Sequence, residues 1–97
     1  MVSTLGKKES IPKVSIRQLK AARALLLWSQ EDLSEHADVS VPTIKRLESK
    51  DGPLGGYQDT REKLISALQR GGVEFLDENG GGAGVRLRRQ TAKRPPG

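Results

Sequence analysis

Cysteine is absent from the 97 residues, which excludes disulfides and thiolate metal sites. Aromatic residues are nearly absent too, with one each of Trp, Tyr and Phe, and only 34% of the chain is hydrophobic. A chain of this size and composition closes one modest core and cannot wall off a large catalytic cavity. No apolar run approaches the roughly 20 residues of a membrane span, and the N-terminal stretch lacks the apolar core of a signal peptide. The expectation is a soluble cytoplasmic protein with no membrane partner. The single histidine, His36, has no second ligand at metal spacing, so it is expected at the surface and no metal is expected. The run Gly80-Gly81-Gly82-Ala83-Gly84 misses the dinucleotide pattern, because Val85 stands at its sixth position and no βαβ unit surrounds it. No cofactor is expected. Glu31, Asp32 and Glu35 cluster where a helix N-terminus favours acids. With no set of nucleophile, base and orienting group, the chain is expected not to be an enzyme.

Charge is plentiful but unevenly placed. The net charge is +5, yet residues 15–76 carry nine positive and nine negative charges. The excess lies at the two ends, above all in Arg86, Arg88, Arg89, Lys93 and Arg94. Basic ends are often only solvated, so charge by itself does not identify a nucleic-acid partner. Any such case must come from the middle of the chain.

The middle reads as short helices with clear punctuation. Residues 1–14 lack periodicity and are expected to form a mobile arm. Ser15 is a plausible N-cap for a helix to about Leu26, with Ile16, Leu19, Arg23 and Leu26 on one stripe. Ser29 with Asp32 forms a capping-box-like pair opening a second helix to about Ala37. Asp38 stands where the chain must turn, and Ser40 caps a third helix, about Val41 to Ser49. Pro42 is tolerated in the first turn, whose N–H groups have no intrahelical partner. Asp51-Gly52-Pro53-Leu54-Gly55-Gly56 is a loop, and a fourth helix runs from about Asp59 to Arg70. Val73–Asp77 and Val85–Arg88, joined through glycines, predict a β-hairpin with Val73, Phe75, Val85 and Leu87 on one face. Residues 89–97 are expected to be a disordered basic tail.

Two short helices joined by a tight turn suggest a helix-turn-helix. A step of 100° per residue turns Ile44 and Leu47 of the third helix inward, with Glu48 bending back toward the core. Pro42, Lys45, Arg46 and Ser49 then face outward, with Val41 and Thr43 at the flanks. Such a helix fits the major groove of B-DNA, where arginine bonds guanine bidentately. Val41 and Pro42 either contact a thymine methyl or only shape the helix start; the residues leave both open.

Trp28-Ser29-Gln30-Glu31-Asp32-Leu33, Ala37-Asp38-Val39-Ser40, Thr43-Ile44 and Arg46-Leu47-Glu48 resemble the helix-turn-helix of Cro/C1-type (Xre) phage repressors and bacterial regulators. The resemblance spans about residues 15–76. It implies a mainly α fold, a four-helix repressor-like helix-turn-helix domain, from which this chain departs by carrying the expected C-terminal β-hairpin in place of the usual fifth helix. It further implies that Gln30 meets DNA phosphate and that Val41, Pro42, Lys45 and Arg46 read bases. Ser40, Thr43 and Lys50, which flank those positions, are expected to meet phosphate. A first-helix arginine paired with a glutamate at the end of the third helix maps onto Arg23 and Glu48. Two positions depart from the family: Asp38 and Leu27 stand where glycine is common.

The expected function is therefore a sequence-specific regulator of transcription, a repressor, that binds double-stranded DNA. The alternative is a protein-interaction module or antitoxin on the same scaffold, with a protein as main partner. Residues 15–72 form the expected DNA-binding domain, and the hairpin at 73–88 the expected element of a homodimer.

Overall fold

Ser15 starts the first helix with a reciprocal cap. Its Oγ accepts the Gln18 N–H at 3.1 Å, and Gln18 Oε1 accepts the Ser15 N–H at 2.9 Å. The resulting helix α1 spans Ile16–Leu26, within a computed structural model that describes residues 12–78 and 80–88. Expectations for residues 1–11 and 89–97 lie outside the described residues. The end of α1 is closed by Leu27 in the left-handed conformation, φ 59°. Its N–H donates to Ala24 O at 3.1 Å and that of Trp28 to Arg23 O at 2.9 Å, satisfying two terminal carbonyls.

Ser29 and Asp32 cap α2, Gln30–Ala37, in the same reciprocal way. Asp38 then turns the chain at φ 60°, also left-handed, and donates its N–H to Ser34 O at 2.9 Å. Both positions where the resemblance expects glycine thus adopt the conformation that favours glycine. Ser40 caps α3, Val41–Glu48, which ends one residue before the expected Ser49. Helix α4, Gln58–Arg70, begins one residue early behind Tyr57, which makes no side-chain capping bond.

A two-stranded antiparallel hairpin follows, with β1 at Val73–Leu76 and β2 at Gly84–Leu87. Val73 faces Leu87 and Phe75 faces Val85. β1 starts as expected but ends a residue early, leaving Asp77 beyond the ladder, and β2 lies a residue before its expected range, with Gly84 paired to Leu76. Buried Gln18 helps hold the hairpin in place. Its Nε2 donates one hydrogen to Leu76 O at 3.2 Å and the other to Gly84 O at 2.9 Å. One side chain therefore caps α1 and clamps both strands onto it.

The core gathers Ile16, Leu19 and Ala22 from α1, Leu33 and Ala37 from α2, and Ile44 and Leu47 from α3. It is completed by Leu64, Ile65 and Leu68 from α4 and Val73 from β1. Each fully buried Leu or Ile contributes roughly 1.5–3 kcal/mol. Val14 is also buried, its carbonyl accepts the Leu54 N–H at 3.0 Å, and Ser15 bridges Pro53. Val14 therefore does not belong to the mobile arm expected through residue 14, because it joins the same apolar cluster as Leu54. The hairpin's apolar face is likewise largely covered by the chain's own core. Val73 is fully buried and Phe75 and Val85 pack against the core, which leaves Leu87 half exposed.

Candidate nucleic-acid interface

Alternation of burial along α3 separates what holds the helix from what it offers. Ile44, Leu47 and Glu48 are buried, whereas Pro42, Lys45, Arg46 and Ser49 are exposed and Val41 and Thr43 lie between. The helix is eight residues long and starts with two apolar side chains. Its outer face thus combines an apolar first turn with two cations one turn later.

Those cations differ from most others among the described residues. Arg17 pairs with Asp51, Arg23 with Glu48, Lys63 with Asp59 and Arg86 with Glu74. Arg61, Arg70 and Arg88 donate to the carbonyls of Gly56, His36 and Gln69. Among the described residues no ion pair or side-chain hydrogen bond engages Lys13, Lys20, Lys45, Arg46 or Lys50. Three of these five lie on α3 or just beyond it. Zero net charge over the middle of the chain hides this arrangement, because four of its acids pair with cations away from the outer face of α3.

The remaining expected site residues are placed as follows. Ser40 Oγ accepts the Thr43 N–H at 3.3 Å and donates to Thr43 Oγ1 at 3.0 Å, so both hydroxyls are engaged at the head of α3. Lys50 is exposed. Gln30, at the start of α2, is half buried and donates from Nε2 to Glu48 Oε1 at 2.9 Å.

Arg23 and Glu48 form the ion pair that joins α1 to the end of α3. Arg23 Nε lies 2.8 Å from Oε2 and Nη2 lies 2.7 Å from Oε1, a bidentate arrangement, and Nη1 donates to Trp28 O at 2.9 Å. Burial alone would push the Glu48 carboxyl up. Hydrogen bonds from Arg23 and Gln30, with the charges of Arg23 and Lys20, outweigh it and hold Glu48 below the ordinary carboxylate value. The bond to Glu48, despite burial, holds the Arg23 guanidinium above its usual value.

Residues 19–54 match the helix-turn-helix family model. This segment is a Cro/C1-type helix-turn-helix. The Cro/C1-type segment takes in most of α1, all of α2 and α3, and the loop to Leu54, and ends before α4 and the hairpin. It gives the chain a DNA-binding domain of regulatory type. Comparison with curated proteins finds no match for the chain.

Sequence reasoning missed two features around this helix-turn-helix. Gln18 completes an S-x-x-Q capping signature with Ser15, legible in the sequence, but its second role needs the hairpin beside it. His36 stacks on Trp28, with ring centroids 4.1 Å apart and planes 14° apart. Its Nδ1 lies 2.9 Å from Asp32 O and carries the proton of that bond, since a carbonyl only accepts.

Proposed function

We propose that the chain is a sequence-specific repressor of transcription that lays α3 into the major groove of double-stranded DNA. The observation that carries this reading is the pair of exposed cations Lys45 and Arg46, with no ion-pair partner among the described residues, on a short helix whose opposite face is buried. In this reading Arg46 and Lys45 bond base edges, and Val41 and Pro42 touch thymine methyl groups. Gln30, Ser40, Thr43 and Lys50 contact phosphate, which sets register without reading sequence. The protein works where chromosomal DNA is, in the cytoplasm.

One recognition helix spans only a few base pairs, so the repressor acts as a symmetric homodimer on half-sites about 34 Å apart. The subunits meet along the outer edge of β2, beside half-exposed Leu87, since the hairpin's apolar face is already covered. The rival reading, a protein-interaction module or antitoxin, keeps support from the apolar first turn of α3.

Selection of binding sites from a random duplex library tests the proposal. A palindromic sequence should be enriched, bound about 10³-fold or more tightly than random duplex. Failure to enrich any sequence, with weak and salt-insensitive binding to all DNA, would favour the protein partner. Light scattering tests the dimer: full-length protein should be dimeric at micromolar concentration and Leu87→Lys monomeric.

A further inference from the structure

Glu48 lies where three helices meet, and it holds more than the partner expected for it. We propose that Glu48 is a positioning residue for DNA binding, fixing the side-chain amide of Gln30 so that it is presented to a phosphate. The inference rests on the reading of Gln30 as a phosphate contact.

The chemistry is one-sided. An ionised carboxylate only accepts hydrogen bonds, so Gln30 must turn its NH2, and not its carbonyl oxygen, toward Glu48. One of the two Nε2 hydrogens is then engaged, and the second has no partner among the described residues. A neutral residue at position 48 would allow either orientation of the amide, and an outward-facing carbonyl would repel a phosphate. The charge on Glu48 therefore selects which end of the glutamine faces the solvent.

The carboxylate can do this because it is immobile. Arg23 grips both its oxygens from α1 and is itself tied to Trp28 O between α1 and α2. Glu48 is only 5% exposed. It is also the last residue of α3, so one rigid group sets Gln30 relative to the helix that carries Lys45 and Arg46. The spacing between a phosphate contact and the base-reading face is thus set inside the protein before DNA arrives, a form of preorganisation.

The test is a double-mutant cycle on affinity for random-sequence duplex at fixed salt, with folding followed by Trp28 emission. Gln30→Ala should weaken binding roughly 3- to 10-fold, the size of one lost phosphate hydrogen bond. Glu48→Gln should weaken it comparably in the wild-type background and hardly at all on top of Gln30→Ala. Equal losses in both backgrounds would mean that Glu48 acts on the helix-turn-helix as a whole, and would overturn the proposal. No loss from Glu48→Gln would do the same. If Gln30→Ala binds like wild type, the phosphate reading of Gln30 itself fails, a result distinct from either. Should Glu48→Gln not fold, side-chain ¹⁵N relaxation of Gln30 in the wild-type protein decides. An amide as rigid as the backbone before DNA is added supports the proposal, and one averaged like a free surface side chain overturns it.

Discussion

Arg46 and Glu48 are two residues apart on α3 and have opposite fates. Arg46 projects from the helix with no charge partner among the described residues, whereas Glu48 is buried against Arg23. Replacing Arg46 with alanine should therefore leave stability nearly unchanged. It should weaken binding to the selected site by about 1–3 kcal/mol and relax preference at one base pair, with little change on random duplex. Equal losses on both duplexes in a fluorescence-anisotropy titration would make Arg46 a phosphate contact. For Glu48 the expectation concerns pH. Its folded pKa lies below the unfolded value, so its contribution to stability is present above about pH 4.5 and disappears as pH falls through the folded pKa. Exposed Asp51 and Glu74 shift in the same direction, through the Gly52 N–H and Arg17 for the first and through Arg86 for the second. Chemical denaturation between pH 3 and pH 7 should show a decline on the acid side that is shallower in Glu48→Gln.

At the scale of elements, the joint between α1 and α2 is both strained and tightly packed. Leu27 holds a left-handed backbone while its side chain is 89% exposed, so its strain gains no compensating burial. Leu27→Gly removes a penalty of roughly 1 kcal/mol against a smaller cost in unfolded-chain entropy, and should stabilise the protein slightly. A lower Tm would show that the entropy cost of glycine outweighs the relief of the dihedral. Gly71, at the end of α4, is the other half of this joint. A Cβ there would lie 2.9 Å from Leu26 Cδ1 and 3.0 Å from two carbons of the Trp28 ring. The backbone of Gly71 is ordinary helical, φ −75°, so the need for glycine is steric. Gly71→Ala should cost about 1–3 kcal/mol by overpacking and lower Tm by several degrees in a melt followed by Trp28 emission. The same change should disturb the stack of His36 on Trp28.

Over the whole molecule, the charge on α3 and the formal charge at the chain ends are separately testable in the proposed DNA binding. Each phosphate neutralised steepens the dependence of log K on log salt by about 0.9. Deleting residues 89–97 removes Arg89, Lys93 and Arg94, and should flatten the slope on random duplex by up to about three units if all three meet phosphate. An unchanged slope would mean that the three tail cations meet no phosphate. The selected site should lose affinity through the same deletion without losing its sequence preference, because phosphate contacts do not read bases.

Helix positions were legible from local chemistry. Ser15, Ser29 and Ser40 each satisfy N–H groups a few residues away, and Ile44 and Leu47 turn inward by helical period alone. Such signals need no distant partner, which is why the sequence determined four helices, a hairpin and the outward face of α3 within a residue or so. Tertiary structure decided the rest. That Gln18 would bond Leu76 and Gly84, about sixty residues away, depends on the hairpin folding back onto α1. That Val14 would be buried depends on Leu54 arriving beside it. The nine positive and nine negative charges of residues 15–76 suggested no net field. Only the fold shows which cations its acids reach, and Lys45 and Arg46 are among those they do not, because an ion pair is a matter of distance in space and not of order in the chain.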